Sequence, residues 1–150
     1  MLRAYQKAIH GTRLAGPTYF AEFLKLVKSE IVANVTRDGI DGNMIYSVVI
    51  VLTDGNIHDM QMTKTLLVQM SKMPFSAVIV GVGNGDFEDM EELDADSSVL
   101  TDKDGNEAIR DVVQLVKYND FKDLGMRELA LEVLGEVPDQ FVDYNVMKGV

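Results

Sequence analysis

No cysteine occurs among the 150 residues. Disulfides, thiolate catalysis and cysteine-ligated zinc are therefore excluded, and the absence fits a reducing compartment. The two histidines, His10 and His58, are too few for a metal cluster. No serine has the partner histidine and acid that a hydrolase triad needs. No apolar run approaches the ~20 residues required to span a bilayer. The opening Met1-Leu2-Arg3-Ala4-Tyr5-Gln6-Lys7 lacks the apolar core of a signal peptide, so a cytoplasmic protein is expected. Positive charge is also scarce: 14 Lys and Arg stand against 24 Asp and Glu, for a net charge of −10. That balance argues against nucleic acid or anionic lipid as partners. It leaves metal cations, basic protein surfaces or plain solubility.

What is present suffices for a core. Hydrophobic content of 47% and charged content of 25% are ordinary for one globular domain of this length. The organising stretch is Ile45-Tyr46-Ser47-Val48-Val49-Ile50-Val51-Leu52-Thr53-Asp54-Gly55, an apolar run closed by a carboxylate and a glycine. A strand apolar on both faces is expected inside a parallel α/β sheet, covered on both sides. In such sheets ligands bind beyond the carboxyl ends of the strands, which is where Asp54 falls.

The periodicity predicts a short helix over residues 3–10, with Tyr5, Ala8 and Ile9 on one side. After Gly16-Pro17-Thr18 a second helix is expected, with Thr18 as N-cap and Phe20, Phe23, Leu24, Val27, Ile31 and Val35 on its apolar side. Residues 37–43 read as a loop and 45–53 as a strand. A helix follows over 59–71, capped by Asp59, with Leu66, Leu67 and Met70 in the core and Met73-Pro74 as its stop. Residues 76–83 read as a second strand, and 87–93 as a short helix pointing Phe87, Met90 and Leu93 inward. Residues 97–107 are turn-rich, and 112–116 form a third strand. A last helix over 124–136 is expected to bury Leu129, Ala130, Val133 and Leu134; 137–150 show no clear period. Strict alternation of helix and strand gives a doubly wound parallel sheet with helices on both faces. Three strands are few for such a sheet, and the long apolar strand 45–53 would lie at an edge, free to pair with another chain.

Thr18 and Asp54 form the sharpest pair. A hydroxyl before a helix and a carboxylate after a strand, at one end of the fold, suit a hard cation that takes oxygen ligands. Spacing alone does not choose that reading over the plainer one, in which Thr18 only caps a helix and Asp54 only closes a turn. Gly81-Val82-Gly83-Asn84-Gly85 carries Asp86 where a dinucleotide fingerprint needs its third glycine, so it reads as a strand-end turn before a helix capped by Asp86. The acidic stretch Asp86, Glu88, Asp89, Glu91, Glu92, Asp94 and Asp96 reads mainly as a solvated face. Thr101-Asp102-Lys103-Asp104-Gly105-Asn106-Glu107 reads as a turn; a calcium loop would have its glycine one position later and a glutamate where Val113 stands. His58, four residues after Asp54, reads as a surface or supporting residue rather than a base.

In order, Gly16-Pro17-Thr18, the strand ending Thr53-Asp54-Gly55, and Ser76-Ala77-Val78-Ile79-Val80-Gly81-Val82-Gly83-Asn84 resemble the von Willebrand factor A-type domain of copines. So do Arg110-Asp111-Val112-Val113-Gln114-Leu115-Val116 and Glu136-Val137-Pro138-Asp139-Gln140. The resemblance implies a Rossmann-like fold and a protein–protein interaction module of a calcium-dependent phospholipid-binding protein. It also implies a metal-ion-dependent adhesion site for Mg²⁺ or Mn²⁺ with Thr18 and Asp54 as ligands. An acidic residue from an intracellular protein partner would complete the metal shell. The Asp-x-Ser-x-Ser loop that supplies the first ligands in such domains does not occur here. A partial domain lacking its N-terminal half is therefore expected, with weak or no metal binding. The C2 domains that would confer membrane attachment are likewise outside this sequence. The alternatives are a truncated fragment without function and a nucleotide-linked or kinase-type enzyme. Against the enzyme, no phosphate-cradling loop and no catalytic base can be named.

Overall fold

The computed structural model describes residues 2–13, 16–41, 44–94 and 98–149, and for 36–41 the backbone alone. The chain runs α1 (Leu2–Gly11), α2 (Phe20–Asp41), β1 (Ser47–Thr53), α3 (Met60–Met70), β2 (Phe75–Gly81), α4 (Glu88–Glu91), β3 (Val113–Lys117), α5 (Tyr118–Phe121), α6 (Met126–Val133) and α7 (Val137–Lys148). The three strands form one sheet in the order β1-β2-β3, with both pairings parallel. Helices surround it, as in part of a Rossmann-like A-type domain. No helix among the described residues is long and apolar enough to cross a membrane.

Strand periodicity divides the sheet into two faces. Val49, Ala77 and Val113 share one row, and Val51, Ile79 and Leu115 the next. These rows pack against Phe20, Leu24 and Ile31 of α2, Leu66, Leu67 and Met70 of α3, and Met90 of α4. On the other face Val78, Val80 and Val116 are buried, together with Tyr144 of α7. β1 departs from the expected burial on both sides. Its inward residues pack on the core, but Val48, Ile50 and Leu52 are 40%, 54% and 65% exposed. Among the described residues nothing covers that part of the sheet.

Three helical expectations change. The loop expected from residue 37 is helical through Asp41; one internal glycine, Gly39, costs a helix only about 1 kcal/mol. Residues 42–43 lie outside the described residues. Leu129, Ala130, Val133 and Leu134 are not buried, because α6 docks by its edge on β3 and has no fully buried residue. The segment after residue 137 is a helix of 12 residues. Pro138 sits in its first turn and Gly149 ends it in the left-handed conformation, at φ 78°. It buries Gln140 and Tyr144.

A buried cation fastens the amino-terminal side of the sheet. Arg110 is 9% exposed. One guanidinium nitrogen donates to Met73 O and Phe75 O, both at 2.7 Å; another donates to Asp111 O at 3.1 Å, and to Gln140 O and the Tyr46 hydroxyl at 3.2 Å. Its centre lies 5.8 Å from the Tyr46 ring and 5.5 Å from the Tyr144 ring. The Tyr46 hydroxyl also reaches Phe75 O and Ser76 Oγ. Burial raises the Tyr144 phenol above its ordinary pKa, with the Arg110 charge working the other way. Beside this cluster the Gln140 amide donates to Asp111 Oδ2 at 2.7 Å and to Glu136 Oε2 at 3.3 Å. The Gln114 amide, oriented to donate, meets Glu136 as well.

Replacing Arg110 by Lys keeps the charge but cannot serve five oxygens at once. Buried carbonyls left unpaired cost about 1–3 kcal/mol each, so Arg110→Lys is expected to destabilise by about 3 kcal/mol or more. Denaturant unfolding tests this; an unchanged midpoint would refute the assignment. The 101–107 turn yields a second expectation. Asp102 Oδ1 accepts from the amides of Asp104 and Asn106 at 3.0 and 2.9 Å and, with Oδ2, from the Asn106 side chain. The Asn106 side-chain bond, followed by the backbone bonds, holds the carboxyl below its ordinary pKa. A depressed carboxyl stabilises the turn above its unfolded pKa and loses that contribution as pH falls through the folded value. Amide shifts of Asp104 and Asn106 should therefore titrate below the ordinary carboxylate range, moving up toward it in Asn106→Ala. Titration at the ordinary value in both proteins would contradict this.

Candidate functional site

The carboxyl ends of the strands gather three loops: 16–19 before α2, 54–59 after β1, and 82–87 after β2. They are bound together by backbone geometry. Gly55 has φ 145°, a conformation that favours glycine. Gly85 lies so close to the neighbouring loop that an added Cβ would stand 1.9 Å from Asp54 O. The first two loops are tied in both directions. The Thr18 amide donates to His58 Nδ1 at 3.2 Å, and the His58 amide donates to Thr18 O at 3.0 Å. His58 must present the Nδ1 lone pair for the first of these bonds, which makes it a supporting residue.

Asp59 departs from its expected role. It stands at the amino-terminal position of α3 without a side-chain cap bond to that helix's amides. Its two oxygens instead accept from the amides of Phe20 and Ala21, each at 2.9 Å. Those are first-turn amides of α2, a helix almost 40 residues earlier in the chain. An aspartate there satisfies orphan donors and complements the positive helix end. Thr18 is therefore not the cap: its hydroxyl forms no hydrogen bond among the described residues. Asp54 likewise does not hold its turn. The buried Thr53 does, with Oγ1 donating to Gly55 O at 3.2 Å and lying 3.5 Å from the Gly55 amide. Asp54 is exposed, and its carboxylate has no partner among the described residues.

The remaining acidic residues are largely engaged. Glu91 pairs with Lys117, raising the lysine pKa through that bond, and Glu92 pairs with Lys64. Asp94 Oδ2 accepts from the Leu115 amide at 3.1 Å, and Asp86 Oδ1 from the Glu88 amide at 3.0 Å. The solvated-face reading thus holds only in part; Asp96 lies outside the described residues. No group of three or more His, Asp and Glu side chains is arranged to hold a metal among the described residues. A cleft of about 330 Å³ lies between Gly83-Asn84-Gly85 and Lys117-Asn119. Asn119 closes its rim with a bond to Asn84 Oδ1 at 2.9 Å.

Sequence reasoning missed Asp59 as the cap of α2 because no local pattern links residues 59 and 20. It also missed Asp94 as guardian of the β3 edge, although a carboxylate among so many offered no distinguishing signal. Removing the cap through Asp59→Ala should cost about 1–2 kcal/mol. Amide exchange at Phe20 and Ala21 should accelerate ahead of the rest of α2. Unchanged protection at those two amides would contradict the assignment.

The fold, the three-loop end and the hydrogen-bonded motifs 110–116 and 136–140 agree with one comparison. A family model described as Copine matches residues 1–150, so the chain belongs to the copine family, whose members are protein-interaction and phospholipid-binding proteins.

Proposed function

We propose that this chain is a non-enzymatic protein-interaction module of a copine-like, calcium-dependent phospholipid-binding protein. It would work in the cytoplasm through a partial metal-ion-dependent adhesion site. Thr18 and Asp54 supply the oxygen ligands for Mg²⁺ or Mn²⁺. One observation carries the reading: both residues are relieved of the plainer duties their positions suggest. Asp59 caps α2 in place of Thr18, and Thr53 holds the turn in place of Asp54. A hydroxyl and a carboxylate are thereby left with no hydrogen-bond partner among the described residues, on loops that are joined through His58.

Two protein oxygens leave most positions of an octahedral cation to water. The bare ion should therefore bind weakly. An acidic side chain from an intracellular protein would occupy one of those positions, coupling partner binding to the metal. Net charge of −10 favours the cation and disfavours nucleic acid. Calcium-dependent attachment to lipid would reside in C2 domains and not in these residues.

A ligand that binds only the folded state raises its stability by mass action. Melting temperature should rise with millimolar Mg²⁺ or Mn²⁺, and Asp54→Ala and Thr18→Val should each remove the rise while leaving the metal-free melting temperature nearly unchanged. A rise that survives both substitutions would place the metal elsewhere; no rise in the unaltered protein would end the metal reading.

A further inference from the structure

We propose that Asn84 is a site of spontaneous deamidation. The Gly85 backbone nitrogen is the nucleophile, Asn119 assists, and the products are aspartyl and isoaspartyl forms of the loop after β2. Asn84 is the only asparagine of the chain that is followed by glycine. A glycine has no side chain to screen its own nitrogen or to hinder the backbone rotation that swings it toward the preceding side chain. Both residues are exposed, between β2 and α4.

Each partner in the reaction is set up by the fold. The nucleophile is free: the Gly85 amide donates no hydrogen bond among the described residues. Comparable nitrogens elsewhere are engaged. In Asp104-Gly105 the glycine amide donates to Asp102 O at 3.1 Å, and in Asp54-Gly55 it faces Thr53 Oγ1 at 3.5 Å. The electrophile is polarised. Asn119 Nδ2 donates to Asn84 Oδ1 at 2.9 Å and also to Gly83 O. That bond draws electrons from Asn84 Cγ and is aimed at the oxygen on which negative charge develops. The leaving nitrogen is loose. Asn84 Nδ2 donates to nothing among the described residues, whereas the Asn106 side-chain nitrogen is held by both Asp102 oxygens, at 3.1 and 3.0 Å, and that of Asn145 by Phe141 O at 2.9 Å.

The step balances with water alone. Hydroxide removes the Gly85 amide proton, and the nitrogen bonds to Asn84 Cγ. The Cγ–Nδ2 bond breaks, and that nitrogen takes a proton from water and leaves as ammonia. Water then opens the cyclic imide. Attack at the side-chain carbonyl gives aspartate; attack at the main-chain carbonyl gives isoaspartate, in which the chain runs through the side chain. Both products add a carboxylate beside Asp86, and isoaspartate also lengthens the main chain by one carbon. The loop has no slack for it, since even a Cβ at Gly85 would stand 1.9 Å from Asp54 O. The isoaspartyl form therefore displaces the 54–59 loop, and the aspartyl form does not.

Incubation of the folded chain at mildly alkaline pH, followed by peptide mapping, tests this. Residue 84 should convert to a mixture richer in isoaspartate than in aspartate, at a rate that rises with hydroxide. Asn119→Ala should slow the conversion several-fold in the folded chain and leave it unchanged in urea, and Asn84→Gln should abolish it. The separated isoaspartyl form should shift the Gly55 amide resonance well beyond its position in Asn84→Asp. An Asn84 amide that stays intact in the folded chain overturns the proposal. Aspartate without isoaspartate overturns Gly85 as the nucleophile. Equal or faster conversion in folded Asn119→Ala overturns the part given to Asn119, and a Gly55 resonance shared by the isoaspartyl form and Asn84→Asp overturns the coupling between the two loops.

Discussion

A single guanidinium sets the geometry on which the rest depends. Arg110 is buried without a carboxylate ion pair among the described residues. Its charge is spread over four carbonyls, one hydroxyl and two aromatic faces. A buried cation is tolerated only when most of its donors are matched; here both terminal nitrogens are, and Nε alone has no partner among the described residues. Here the matching oxygens come from the ends of β2 and β3, the approach to β1 and the first turns of α7. The cation can be satisfied only when these segments have converged, so it fixes where every strand starts. The loops at the opposite end of the sheet then emerge in a defined arrangement.

The motifs that carry the family resemblance acquire a physical meaning in this light. Arg110, Asp111 and Gln114 come from one motif, and Glu136 and Gln140 from the other, and they bond to each other. They dock the last helix on the sheet and are far from the candidate metal ligands. The motif Gly16-Pro17-Thr18 lies at the opposite end, beside the candidate site, and is held by His58. The chain thus keeps its structural chemistry at one end of the strands and its candidate binding chemistry at the other.

Much of the fold was legible in the sequence. Apolar runs and helical spacing located the three strands and the inward set Phe87, Met90 and Leu93, because those signals are local. The misses were of two kinds. α7 carried terminal signals, Pro138 and Gly149, but a weak apolar period, since it buries one polar and one aromatic residue and leaves Val142 and Val146 in solvent. The capping of α2 by Asp59, and the covering of only one face of β1, depend on which segments meet across long separations. Composition and period do not encode that. The candidate pair Thr18 and Asp54 was legible as a pair of oxygen groups, but their release from capping and turn duties was visible only in three dimensions.

Labour is divided at the carboxyl end of the sheet. Asp59 and Thr53 hold the loops, and Thr18 and Asp54 are the ligands proposed for a cation. Paramagnetic Mn²⁺ tests this directly, by broadening the amide resonances near where it binds. Substoichiometric Mn²⁺ should first broaden the signals of residues around Thr18, Asp54 and His58, and spare the 101–107 turn. Broadening centred on the acidic stretch 86–94, with the Thr18 and Asp54 signals intact, would contradict it.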